Sequence, residues 1–208
     1  HSADAQAAFD LAKAKGTNGV AFDQLELRLA ELTTNPLDPP SEQLQPITDL
    51  YIQGQFQQAL SHTTEMLERF PSSAFLHNIS GASNAGLMQF DAAISSYKQA
   101  LRINPNYVEV YNNMGIVLND KGNPEDAIGS YKKALQIQPN FAEVHNGMGI
   151  ALKNAGEPKA AIDSYQVALR IKPDYAEAHS NLGAILVDLG RLEEAEVSYR
   201  QAIELSPD

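Results

Sequence analysis

The chain has 208 residues, 43% hydrophobic and 20% charged, so it is long enough to close a continuous core as one ordinary domain or as one short array of repeats. It holds no cysteine, which excludes a disulfide framework, thiolate metal ligation and a cysteine nucleophile. A formal net charge of −11, with only 15 basic residues spread along the chain, argues against a surface that tracks nucleic-acid phosphates.

Read in chain order, residues 1–39 open with His1-Ser2, which has the look of a tag remnant, so the native N-terminus is expected to lie elsewhere. Ala3 to Lys15 reads as a helix, Gly16-Thr17-Asn18-Gly19 as a break, and Val20 to Leu32 as a second helix with Leu25, Leu29 and Leu32 on one side. The pair is expected to form an N-terminal helical cap. Asn35-Pro36-Leu37-Asp38-Pro39-Pro40 follows as a stiff connector. Apolar runs everywhere fall far short of the roughly 18 residues a membrane helix needs, and no charged-then-apolar signal segment opens the chain. A soluble protein without a membrane partner is expected, with the cytoplasm favoured as its compartment.

From residue 40 onward the prolines reveal a period. Pro71, Pro105, Pro139, Pro173 and Pro207 stand 34 residues apart, dividing the chain into units 40–73, 74–107, 108–141, 142–175 and 176–208. Other residues then fall into columns. Gly81, Gly115, Gly149 and Gly183 share the eighth position; Ala59, Ala93, Ala127, Ala161 and Ala195 the twentieth; Tyr97, Tyr131, Tyr165 and Tyr199 the twenty-fourth; and Ala100, Ala134, Ala168 and Ala202 the twenty-seventh. A small residue lets two helix backbones approach, and a tyrosine fills the gap between neighbouring helices. Within 108–141, Val110, Met114, Ile116 and Leu118, then Ala127, Ile128, Tyr131, Ala134, Leu135 and Ile137, recur at helical rather than strand spacing. Each unit is thus expected to be two helices, separated at Gly122-Asn123-Pro124, Gly156-Glu157-Pro158 or Gly190-Arg191-Leu192, with the periodic proline ending the second helix. The first unit departs from the columns, with Ile47 in place of the glycine and Thr63 in place of the tyrosine, as expected near a cap. Acid is uneven: 74–175 is nearly neutral and 176–208 acidic, which serves solubility or contact with a basic partner.

These columns resemble the tetratricopeptide repeat family, over 74–208 closely and 40–73 more loosely. The resemblance implies an all-α, right-handed superhelical solenoid of antiparallel helix hairpins. The unit style Tyr-Lys-x-Ala-Leu-x-Ile-x-Pro is similar to that of large bacterial proteins in which such an array precedes a glycosyltransferase, sulfotransferase or hydroxylase domain. No polar closing helix follows the last unit, so the natural chain is expected to continue past residue 208. If it does not, Ile185, Leu186, Leu189, Tyr199 and Ile203 are expected to be partly exposed and able to stack on another copy.

The resemblance further implies that the first helix of each unit lines a groove for an extended peptide or a flexible protein segment. Residues of that lining are Asn78, Asn112, Asn146 and Ser180 at the fifth position, Asn113 and Asn181 at the sixth, and Asn119, Lys153 and Asn154 deeper, with Asp120 and Asp188 beside them and Glu109, Glu143 and Glu177 at the second position. An asparagine offers both a donor and an acceptor, so a row of them suits peptide backbone without demanding particular side chains. Asn113 and Asn181 resemble the asparagine ladder of the O-linked N-acetylglucosamine transferase array, which Gly147 interrupts. The carboxylate clamp of the family needs a basic groove and an asparagine at the ninth position. Here that position holds Thr48, Ala82, Ile116, Ile150 and Ala184, so the clamp is absent; Ile116, Ile150 and Val187 suit aliphatic side chains instead.

No catalytic constellation emerges and no cofactor is implied. His77, His145 and His179 recur at the fourth position without a cysteine, a pattern that fits packing better than metal ligation. Two Ser-x-x-Lys matches, Ser95 to Lys98 and Ser130 to Lys133, fall at the tyrosine column and lack their companion motifs. Asn78-Ile79-Ser80 matches a glycosylation acceptor inside a predicted packed helix. The expectation is a binding protein rather than an enzyme, with two alternatives: the substrate-recognition arm of a larger transferase or hydroxylase, or a self-associating scaffold.

Overall fold

The computed structural model describes residues 37–206, and among these every regular element is an α-helix. In chain order they are α1 (Ser41–Ile52), α2 (Phe56–Arg69), α3 (Ala74–Gly86), α4 (Phe90–Ile103), α5 (Val108–Asp120), α6 (Pro124–Ile137), α7 (Ala142–Asn154), α8 (Pro158–Ile171), α9 (Ala176–Asp188) and α10 (Leu192–Leu205). From α3 onward odd-numbered helices have 13 residues and even-numbered ones 14, and both series recur at the sequence period. The predicted helices of residues 3–32 lie outside the described residues. Of the connector, Asp38 is buried and its carboxylate accepts a hydrogen bond from Ser73 Oγ, which in turn caps α3 by accepting from the Leu76 amide at 3.1 Å.

The prolines act as expected. Each of Pro71, Pro105, Pro139 and Pro173 stands two residues past the end of an even-numbered helix, where the ring would clash with a continuing helix. Pro124 and Pro158 open α6 and α8, where a missing N–H costs nothing.

The helices form two compact units, one ending at Val110 and the other beginning at Tyr111. In the first, Leu44, Ile47, Phe75, Leu76 and Ile79 make a buried cluster flanked by Met66, Leu67 and Phe70. In the second, Ala142, Ala168, Tyr175 and Ala178 do so, with Leu169 and Ile171 packed alongside. Both use one local device. From α3 onward, the eighth-position glycine of each odd helix lies under the tyrosine ring of the even helix that follows. A Cβ on Gly81 would stand 2.4 Å from Tyr97 Cε1, one on Gly115 2.7 Å from Tyr131 Cε1, and one on Gly149 2.5 Å from Tyr165 Cε1. Any larger residue would have to displace a buried ring. In the aberrant first hairpin large and small trade sides: Ile47 and Thr63 are both buried, and the Thr63 hydroxyl turns back to donate to the Ala59 carbonyl at 2.6 Å.

Hairpin turns depend on a left-handed residue. Gly54, Gly122, Gly156 and Gly190 carry φ of 72°, 87°, 78° and 74°, and the equivalent place between α3 and α4 is held by Met88 at φ 58°. A side chain in that region costs roughly 1–2 kcal/mol, and Met88 recovers little by burial because it is 74% exposed.

Two expectations need correction. Ile185 and Leu186 are 1% and 3% exposed rather than partly open, on a helix that packs against both α8 and α10. Ile116 and Ile137, placed in the helical packing series, are 40% and 38% exposed. Helical spacing puts them near the apolar stripe, but they sit at its margin, where the neighbouring helix does not reach.

Two outcomes are expected. Met88→Gly should raise the unfolding free energy by about 0.5–1 kcal/mol, left-handed strain removed less the extra entropy of an unfolded glycine, as read from urea denaturation. Burial pushes the Tyr97, Tyr131 and Tyr165 hydroxyls well above the ordinary tyrosine value of 10.0. A phenol whose folded pKa is raised contributes stability in full below its unfolded pKa and loses it as pH climbs toward the folded one. Helix content should therefore hold below about pH 10 and fall above it, with the absorbance of these tyrosinates emerging together with unfolding; ionisation near pH 10 with helices intact would contradict this packing.

Candidate functional site

Within the second unit α5, α7 and α9 lie side by side, and their exposed edges carry most of the predicted lining. The register between them follows from polar pairs that repeat with one offset. Asn154 Nδ2 on α7 donates to Asn119 Oδ1 on α5 at 2.9 Å, across 35 residues. Lys153 Nζ on α7 meets Asp188 Oδ2 on α9 at 2.9 Å, and Asn181 Nδ2 on α9 donates to Asn146 Oδ1 on α7 at 3.0 Å. Position twelve of one repeat thus meets position thirteen of the next, and position five meets position six. The Lys153–Asp188 pair is 39% and 58% exposed, so it aligns helices more than it stabilises them.

The fifth-position row is not the solvent-facing ladder that the repeat suggested. Asn78, Asn112 and Asn146 are 3%, 6% and 3% exposed, and only Ser180 of that row faces solvent. The physical reason is visible at Asn146, whose amide serves the packing of the next repeat. Its Nδ2 donates to Glu177 Oε1 at 3.1 Å and to the Tyr175 hydroxyl at 3.4 Å, while its Oδ1 receives Asn181. Sixth-position Asn113 and Asn181 are half-buried. Lys153 and Asn154 are exposed and Asn119 half-buried, so the deeper positions come together as an open polar edge. Ile116 and Val187, 40% and 44% exposed, add apolar surface to it.

The break in the ladder lies against a tyrosine ring. A Cβ on Gly147 would fall 2.8 Å from both Cζ and Oη of Tyr131, so a side chain at this sixth position would have to shift the end of that ring. One repeat later the Tyr165 ring is followed by Asn181 at the same place, so the column itself does not require a glycine there.

Two participants escaped the sequence reading. Tyr175 follows Tyr107 and Phe141 as the last residue of a repeat, a recurrent aromatic column that could have signalled it. Its hydroxyl is held above the ordinary value by burial and by the Glu177 and Glu143 carboxylates. Lys172 bridges to Glu143 Oε1 at 3.4 Å and lies 5.0 Å over the Tyr175 ring.

The remaining motifs have structural employment. His77, His145 and His179 each direct Nε2 at the carbonyl of the proline six residues earlier, Pro71, Pro139 and Pro173, at 3.1, 2.9 and 3.0 Å. A carbonyl only accepts, so Nε2 carries the proton and each ring ties the start of an odd helix to the preceding turn. Ser130 Oγ donates to the Asp126 carbonyl at 3.1 Å. Asn78 and Ser80 of the glycosylation match are buried. What this face offers chemically is amide donors and acceptors, carboxylates and aliphatic patches.

Family models agree with the geometry. The model described as tetratricopeptide repeat matches residues 108–141 and 176–208, and one described as TPR repeat matches 89–122 and 155–190, so that together they cover more than half of the chain. A probable UDP-N-acetylglucosamine–peptide N-acetylglucosaminyltransferase, SEC of Arabidopsis thaliana, is 34% identical over 76 residues. That alignment takes in 36% of this chain and spans only 8% of the plant protein. Among solved structures, MamA superposes with a TM-score of 0.68 at 21% identity, over 76% of this chain and 92% of that one. A thermophilic TPR protein of Thermus thermophilus gives 0.68 at 25% identity, over 80% and 91%. YrrB, described as a TPR protein with an unusual peptide-binding site, gives 0.63 at 21%, over 86% and 93%. These likenesses put the fold in the all-α solenoid class of helix hairpins. The chain belongs to the tetratricopeptide repeat family.

Proposed function

We propose that the chain is a protein-interaction module that holds an extended peptide or a flexible segment of another protein on the face lined by α5, α7 and α9. The observation that carries this reading is the edge formed by Ile116, Lys153, Asn154, Ser180 and Val187, which is exposed, recurs on successive odd helices and mixes amide, charge and aliphatic groups that packing leaves open. The peptide-binding site in the description of YrrB lends support by likeness of fold. In this reading the chain itself performs no catalysis and binds neither nucleic acid nor membrane; no helix among the described residues is long and apolar enough to cross one.

The stretch shared with the plant transferase favours a second reading, in which the chain is the substrate-recognition arm of a larger transferase. A third, self-association, draws on α10, whose Leu192, Val197 and Ile203 are 63%, 64% and 65% exposed.

A triple variant, Ile116→Asp with Asn154→Ala and Val187→Asp, tests the first reading, because all three positions are exposed and their replacement should change stability by no more than about 0.5 kcal/mol. In pull-downs from the source organism, proteins retained by the unaltered chain should be lost with the variant, and purified partners should bind it at least about tenfold more weakly. Equal retention by both would move the site elsewhere. Self-association should appear in light scattering as a mass that rises with concentration and collapses to the monomer in Ile203→Asp; a monomer at every concentration removes that reading.

A further inference from the structure

The left-handed position of a hairpin turn faces open space: a Cβ added at Gly54, Gly122, Gly156 or Gly190 would meet nothing within 4 Å. The backbone closes these turns unaided. Between α5 and α6 the Gly122 amide donates to the Asn119 carbonyl at 2.9 Å and the Asn123 amide to the Leu118 carbonyl at 2.9 Å. Between α3 and α4 the same bonds recur, from the Met88 amide to the Ala85 carbonyl at 2.8 Å and from the Gln89 amide to the Asn84 carbonyl at 2.9 Å. Glycine would serve this turn as it serves the others, without the strain of a side chain at φ 58°. Packing does not offset that strain, because the Met88 side chain is 74% exposed. What methionine brings here that glycine lacks, and that neither turn nor core uses, is a thioether sulfur open to solvent.

The other methionines, Met66, Met114 and Met148, are all half-buried. Met66 packs against the apolar cluster of the first unit, and its sulfur receives Arg69 Nη1 at 3.9 Å. Met114 and Met148 stand next to the hairpin glycines Gly115 and Gly149. We propose that Met88 is an oxidation site, which a hydroperoxide converts reversibly to the sulfoxide ahead of the other methionines while the fold stays intact. A sulfur lone pair attacks one oxygen of hydrogen peroxide, and the S–O bond forms as the O–O bond breaks. The proton of the transferred oxygen passes to the departing one, which leaves as water. Sulfur is oxidised by two electrons and the peroxide is reduced by two. The product replaces an apolar tip by a strong hydrogen-bond acceptor on a turn held by backbone bonds alone. Oxidation therefore changes what the surface presents and not the helices behind it, and the exposed sulfoxide stays within reach of a reductase. Met88 lies in the first compact unit, so the site does not depend on the peptide-binding reading of the second.

Hydrogen peroxide itself is the probe, with oxygen uptake at each methionine of the unaltered chain followed by peptide mass mapping. Met88 should gain one oxygen at least about tenfold faster than Met66, Met114 or Met148. With Met88 alone converted, the melting temperature should lie within about one degree of that of the untreated chain. Methionine sulfoxide reductase with a dithiol should then restore the thioether. Rates that are equal at all the methionines, or slower at Met88 than at another, overturn the proposal. A fall in melting temperature that tracks Met88 conversion would make the sulfur part of the packing and overturn it too, as would a sulfoxide that the reductase leaves untouched. Met88→Leu keeps the apolar bulk and removes the sulfur, so the fast uptake should vanish while the remaining methionines keep their rates. Fast uptake that survives in this variant would place the reactive sulfur elsewhere and count against Met88.

Discussion

Contact of a tyrosine ring with a backbone stripped of its Cβ is what the rest of the molecule depends on. Tyr97 against Gly81, Tyr131 against Gly115 and Tyr165 against Gly149 bring the two helices of a hairpin closer than any side chain would permit. Each ring is almost wholly buried and contributes roughly the 1.5–3 kcal/mol of a large apolar side chain. Because the partner is backbone, the contact repeats with one geometry, and that repetition makes these hairpins alike. Variety is left to the edges.

The same ring reaches further at one place. Tyr131 fills its own hairpin and also lies against Gly147 in the next odd helix, where this repeat carries no amide. Asn146 is engaged by Tyr175, Glu177 and Asn181, whereas one repeat earlier the corresponding places hold Phe141, Glu143 and Gly147. Two residues at the same position of the repeat thus have different surroundings. The polar pairs Asn154–Asn119 and Lys153–Asp188 show the complementary role, holding neighbouring helices in one register at the surface. Side chains expected to serve a ligand here serve one another.

Nearly all of the helical architecture was legible in the sequence. The proline period located the helix ends, the glycine and tyrosine columns identified the hairpin contact, and the Gly-x-Pro runs marked the turns. Met88 shows where residue type alone falls short: only its place in the period, 34 residues from Gly54 and from Gly122, marks it for the left-handed turn, since φ is imposed by closure of the hairpin and not by the residue. Ile116 and Ile185 fall in the same gap. Both are apolar residues of odd helices, and only the placement of adjacent helices makes one exposed and the other buried.

For the site, composition and period settled which residue types line the odd helices and that they are amides, carboxylates and aliphatics, because a helix face is a matter of spacing along one chain. Which amides are spent inside the protein and which remain open was decided by tertiary structure. A hydrogen bond between Asn146 and Asn181 joins residues 35 apart, and the residue 35 positions after Asn112 is Gly147, which has no side chain to offer. Spacing along the chain encodes which way a side chain faces, whereas its hydrogen-bond partners depend on what the packing of other helices brings within about 3 Å.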